Sequence, residues 1–216
     1  MIKKPSNVYV IGLTGGIGTG KTTVSNYLKE LGAHVINADE VAHEVTSPGS
    51  FGLSRVIAEF GEEMLLEDGS LNRKKLGQLV FSDPEALSKL NSIVHPLVID
   101  QIGRMLEEIS CRHCDSEEVP CVVLDVPLLF EAGMDKMCDE IWVVATDKDV
   151  QVQRLMARDG YPESEIMKRI QAQMPLEEKV KRAHKVIDNS GSIENTKMQT
   201  YELFEDVKRR LRDYPC

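Results

Sequence analysis

Residues Gly15-Gly16-Ile17-Gly18-Thr19-Gly20-Lys21-Thr22 fit the pattern G-x-x-x-x-G-K-[ST]. Their types and spacing suit one task, holding a polyphosphate. Glycines allow backbone conformations that other residues resist, so several N–H groups of such a loop point inward together. A helix opening at Lys21 adds the positive end of its dipole. In this chemistry Gly16, Ile17, Gly18, Thr19 and Gly20 bind ATP through the loop, and Lys21 reaches the β- and γ-phosphates. The Thr22 hydroxyl ligates Mg²⁺, and Thr23 lies beside it at the start of the helix. The pattern follows an apolar run, Val8 to Gly12, and opens a helical stretch to about Leu31, as a phosphate loop requires. A glycine-rich turn with an incidental lysine would need no such flanks.

A phosphate loop serves kinases, GTPase switches and mechanical ATPases alike, so the function rests on the rest of the site. A guanine-reading N-K-x-D segment is missing; the nearest run, Thr146-Asp147-Lys148-Asp149, lacks the asparagine. A kinase for a small-molecule hydroxyl needs a carboxylate near the acceptor, cations around the moving phosphate and a cover against water. Asp39 stands just past a second short apolar run, where the carboxyl ends of parallel strands collect ligands. It either orients and deprotonates the acceptor hydroxyl or caps a helix beginning near Glu40. Asp125 ends the run Cys121 to Val126. It either holds Mg²⁺ through water or is satisfied by loop amides. Arg154 and Arg158 are four apart and share a helix face, with Arg169 further along. They either clamp the γ-phosphate or form a solvated charged face.

The elements that must position these residues are legible as short runs. Val8–Gly12, Val35–Ile36, Cys121–Val126, Ile141–Ala145 and Val186–Ile187 read as strands separated by helical stretches. That alternation predicts an α/β fold with a five-stranded parallel sheet flanked by helices. Residues 44–118 read as helical: Leu53, Val56, Ile57 and Phe60 share a period, as do Ile102, Met105, Leu106 and Ile109. Asp83-Pro84 marks a helix start, and Pro96 is expected to break or kink the helix after His95. So much helix between two strands predicts an inserted subdomain. A second helical segment, about 148–184, carries Arg154, Arg158, Lys168, Arg169, Lys179, Lys181 and Arg182, with a turn at Asp159-Gly160-Tyr161-Pro162. A last helix over about 193–212 presents Tyr201, Phe204, Val207 and Leu211.

Composition narrows the class further. With 26 Lys and Arg against 35 Asp and Glu, the formal net charge of the 216 residues is −9, which disfavours a nucleic-acid partner. No apolar run is long enough for a membrane span, and no secretory cleavage pattern opens the chain, so the cytoplasm is expected. The five cysteines, Cys111, Cys114, Cys121, Cys138 and Cys216, are odd in number and scattered, which argues against a disulfide framework. Cys111, His113, Cys114 and Cys121 lack a clean second pair at zinc spacing, and the stretch from Cys114 to Glu118 reads as a polar loop.

From Val10 to about Gly191 the chain resembles the dephospho-CoA kinases. The resemblance rests on Leu13 to Thr23, Ile36-Asn37-Ala38-Asp39, His95-Pro96, Asp125-Val126-Pro127-Leu128-Leu129-Phe130-Glu131, Arg154 with Arg158, and Val186 to Gly191. It implies a P-loop kinase fold with a nucleotide-binding core (1–43, 119–149 and 185–216), a helical CoA-side domain (44–118) and a helical lid (150–184). It implies transfer of the γ-phosphate of ATP to the ribose 3′-hydroxyl of dephospho-CoA, with Mg²⁺ and in a monomer. Asp39 then takes the acceptor-side role, with Lys21 and Arg158 acting on the moving phosphate. His95, Pro127, Leu128 and Leu129 line the acceptor site, and Arg154 and Asn189 approach ATP. Family members often have Asp-Ala-Asp where this chain has Asn37-Ala38-Asp39, which weakens any metal contact there. The remaining alternatives are another metabolite or nucleoside-monophosphate kinase on the same core, and an ATPase or switch whose acceptor is water.

Overall fold

A computed structural model describes residues 4–114, 116 and 118–212. Cys216 and parts of the polar stretch after Cys114 lie outside them. Five strands form one parallel sheet in the order β2-β3-β1-β4-β5: β1 (Tyr9–Gly15), β2 (His34–Asn37), β3 (Cys121–Asp125), β4 (Glu140–Ala145) and β5 (Lys185–Asp188). The central strands are apolar almost throughout because helices cover both faces. Register sets the functional edge. Leu13 pairs with Asp125, Gly15 with Val144, and Ala145 with Asp188, so the carboxyl ends of four strands open together. The chain order reverses direction around β1, and the phosphate loop leaves β1 at that switch point.

Helix α1 (Lys21–Glu30) follows the loop and buries Val24 and Leu28; Gly32, at φ 97°, follows its end. Its partner in the core is α9 (Ile193–Arg212), whose Phe204 and Val207 join Val24, Leu28, Ile11, Leu13, Trp142 and Ile187 in one cluster. The buried face of α9 is Thr196, Thr200, Phe204 and Val207, whereas Tyr201 is 48% exposed, so the expected face is shifted. Threonine can line a helix core because its hydroxyl bonds the preceding turn: Thr200 Oγ1 donates to the Thr196 carbonyl at 2.7 Å.

The contacts divide the chain into two compact units. Asn37–Met105 form one, and the flanking stretches, carrying β1, β3, β4, β5, most of β2 and all the helices after residue 112, form the other. The first unit holds α2 (Ala38–Val45), α3 (Phe51–Phe60), α4 (Arg73–Ser82) and most of α5 (Pro84–Arg112). It has its own core of Leu53, Val56, Met64, Leu71 and Leu76. Helix begins there at residue 38, earlier than expected, and an antiparallel bridge between Leu65 and Leu71 interrupts it. Asp83 caps α5, accepting from the N–H of Glu85 at 2.9 Å and of Ala86 at 3.2 Å. Pro96 does not break α5. The proline removes one backbone donor, but the buried stripe of Val98, Ile102, Leu106 and Ile109 keeps helical spacing beyond it.

In the second unit, residues 148–182 form α6 (Lys148–Asp159), α7 (Glu163–Gln171) and α8 (Leu176–Arg182). Gly160, left-handed at φ 69°, ends α6 in the expected turn.

Candidate functional site: a phosphate loop held by three elements

Gly18 and Gly20 take left-handed φ values of 79° and 88°, which L side chains rarely adopt. Space forbids a side chain as well. A Cβ on Gly20 would lie 2.0 Å from Asn189 Nδ2, and one on Gly18 would lie 2.7 Å from Leu155 Cγ. Gly20 is the N-cap of α1 but offers no side-chain cap, so the first N–H groups of the helix remain available to an anion. Buried Thr19 closes the loop on itself, its hydroxyl donating to the Gly16 carbonyl at 2.9 Å. Thr22 is exposed beside it.

Lys21 Nζ is paired with Asp125 Oδ1. Asp125 is 2% exposed and sits at the end of β3, next to the strand that carries the loop. The carboxylate and the Thr22 hydroxyl are hard oxygen donors of the kind a small divalent cation prefers. Among the described residues no three His, Cys, Asp or Glu side chains gather as a metal site, so phosphate oxygens and water would have to complete the shell. Cys121 lies in β3, where burial pushes its thiol up to about 12.

The three arginines of α6 and α7 separate. Arg154 Nη1 is buried with no hydrogen-bond partner among the described residues, and a Cβ on Gly20 would come within 3.9 Å of it. Arg158 is exposed and grips Asp159 with two bonds, 2.6 and 2.9 Å. Arg169 stacks over the Tyr161 ring at 4.2 Å. Asn189 is not free to read a base with its side chain. Its Nδ2 donates to the Thr19 carbonyl at 2.8 Å and its Oδ1 accepts from Thr196 at 2.7 Å, so it fastens the loop to α9.

In the run after β3, Leu128 is 39% exposed but Leu129 is fully buried and lies against Gly12. Leu129 therefore supports the loop and offers no surface to a substrate. The Pro127 carbonyl accepts from Thr14 Oγ1 at 3.1 Å and from Lys179 Nζ at 2.8 Å.

In the other unit, Asn37 caps α2 by accepting from the N–H groups of Asp39 and Glu40. Asp39 is therefore not the cap; it is exposed in the first turn with its carboxylate unused for capping. His95 is half-buried in α5, and burial lowers its pKa, so it is a neutral imidazole at pH 7.

Three contributors were not singled out as site residues: Gln151, Gln173 and Lys179. Glutamines leave no spacing signature, and Lys179 reads as one more lid cation although it is 0% exposed.

Residues 9–195 match the family model of dephospho-CoA kinase, CoaE. A curated dephospho-CoA kinase of Carboxydothermus hydrogenoformans is 49% identical over 199 residues, 92% of this chain and 94% of that protein. The solved structure of TT1252 from Thermus thermophilus superposes with a TM-score of 0.74 at 37% identity, covering 93% of this chain and 98% of that one. Dephospho-CoA kinase from Campylobacter jejuni shares the fold, with a TM-score of 0.69 at 24% identity over 93% and 97% of the two chains.

Proposed function

The chain belongs to the dephospho-CoA kinase family and is a kinase moving phosphate from ATP to dephospho-CoA; within that reaction we propose that the 3′-hydroxyl of the ribose receives the γ-phosphate, giving coenzyme A and ADP. The observation that carries the reading is the phosphate loop on the central strand, with Lys21 beside Asp125 at the switch point of the sheet. The α1 N-terminus and the loop amides bind the phosphates, and Lys21 leaves Asp125 to meet them. Thr22, and Asp125 through water, would hold Mg²⁺, whose charge would offset that of the phosphates. Asp39 orients and deprotonates the acceptor hydroxyl. Arg154 meets the moving phosphate first, and Arg158 joins once it releases Asp159. His95, neutral, makes hydrogen bonds to the acceptor and carries no charge to its phosphates, while Pro127 and Leu128 give it an apolar edge.

In this reading residues 44–118 form the acceptor side and 150–184 the lid that excludes water. The enzyme acts as a cytoplasmic monomer without nucleic acid or membrane. The net charge of −9 speaks against a nucleic-acid partner, and among the described residues no helix is long and apolar enough to cross a bilayer. Incubation with ATP and Mg²⁺, alone and with dephospho-CoA, AMP or shikimate, tests the proposal. ADP release that needs dephospho-CoA, with phosphate mapped to the ribose 3′ position, is the expected result. Release with another acceptor, or with none, would replace it.

A further inference from the structure

The peptide unit of Ile17, at the tip of the phosphate loop, is held at both ends by glutamines. Its N–H donates to Gln173 Oε1 at 2.9 Å, and its carbonyl accepts from Gln151 Nε2 at 2.6 Å. Gln151 is 4% exposed in the first turn of α6, and Gln173 lies in the connection from α7 to α8. The bonding continues from the next residue. Met174 N–H donates to Glu131 Oε1 at 3.0 Å, and the same oxygen lies 3.0 Å from Lys179 Nζ. Lys179 bonds the Pro127 carbonyl, which also accepts from Thr14 in β1, the residue before the loop begins. A closed circuit therefore runs from the phosphate loop through the lid and the 127–131 turn, and back to the strand that carries the loop.

The chemistry of the group on Ile17 decides what the circuit does. That N–H lies within the phosphate loop but is spent on Gln173, so the N–H groups further along the loop are the ones left for phosphate. An amide oxygen satisfies the Ile17 N–H without bringing charge, whereas a carboxylate there would set a negative charge beside bound ATP. We propose that Gln173 is a positioning residue for phosphoryl transfer, coupling the conformation of the phosphate loop to the seating of the α7–α8 connection. It acts through Ile17 and touches no reacting atom. With the bond made, an ATP-ready loop and a seated lid are one state. With it lost, the lid unseats independently and water reaches the γ-phosphate.

The inference rests on the kinase reading above. Gln173→Ala, Gln173→Glu and the exposed control Gln153→Ala are compared with the unaltered chain in steady-state turnover, with thermal melting of each. Gln173→Ala is expected to lower kcat about three- to tenfold, the size of one neutral hydrogen bond. It should leave KM for dephospho-CoA within about twofold and raise the share of ADP formed without coenzyme A several-fold. Gln173→Glu keeps an acceptor oxygen but adds charge, and is expected to raise KM for ATP about tenfold or more. Gln153→Ala should match the unaltered chain. Unchanged kcat and coupling in Gln173→Ala would overturn the proposal, as would a loss that merely follows the folded fraction. If the unaltered chain makes no coenzyme A, the kinase reading itself fails; if it does and the Gln173 variants behave alike, only this inference falls.

Discussion

Lys21 and Asp125 neutralise each other, with side chains 13% and 3% exposed. Removing one partner of such a pair strands the other charge, at about 3–5 kcal/mol for a fully buried pair and less here, where Lys21 keeps some contact with water. Asp125→Asn should therefore lower the melting temperature of the free protein and enlarge the upward shift that ATP produces, because phosphate then supplies the only counter-charge. A smaller ATP shift than in the unaltered chain would contradict this. Lys21→Ala should abolish measurable ATP affinity and turnover together. Asp39→Asn should lower kcat by about 10² or more with little change in ATP affinity, as loss of a positioned base does. Arg154→Ala should slow turnover more than Arg158→Ala, since Arg154, unlike Arg158, has a buried nitrogen near the loop with no partner among the described residues. The residues legible in advance were those with a fixed offset in a motif: Lys21, Thr22, Asp125. Lys179 and Asn189 carry no such offset. A lysine among lid cations, and an asparagine after a strand, reveal their partners only when the chain brings residues 131 and 19 to them.

At the scale of elements, the phosphate loop is fixed from outside as much as by its own glycines. Gly20→Ala meets both a left-handed backbone and the Asn189 amide, so it should cost ATP affinity even where the fold survives, readable by titration calorimetry. Phe204→Ala in α9 removes a fully buried ring beside α1 and should cost about 3–5 kcal/mol in urea unfolding. All five strands stood out in the sequence to within a few residues because parallel central strands are apolar runs with sharp ends. The buried face of α9 did not, because a helix threonine counts as polar by type while its hydroxyl is already satisfied by the turn before it. Pro96 ends no helix for a related reason. A proline costs one hydrogen bond, and a long helix with apolar stripes on either side of it absorbs that loss.

Across the whole molecule, one cluster around buried Glu140 ties the first residue of β1 to β4 and α9. Glu140 Oε2 accepts from Tyr9 at 2.8 Å and from Arg210 at 2.7 Å. Burial raises the Glu140 pKa, but the bonds from Arg210 and Tyr9 outweigh it and leave the net value below the ordinary carboxylate range. Its contribution is therefore present above the unfolded value, near 4.5, and lost as pH falls through the lower folded one. Tyr9 moves the other way, up to about 12, mainly by burial, so its contribution is lost as pH rises from 10 towards 12. Melting temperature against pH should fall at both ends, and Glu140→Gln should remove most of this cluster's share of the acid limb. An unaltered acid limb would place the acid sensitivity elsewhere. The burial of Lys179 has a consequence of a different kind. An amine at 0% exposure is shielded from acylating reagents, so it should label last among the described lysines and only at the rate at which α8 leaves the 127–131 turn. Time-resolved acylation read by mass spectrometry thus turns that one side chain into a clock for the parting of α8 from that turn, slowed by ATP and hastened by Gln173→Ala.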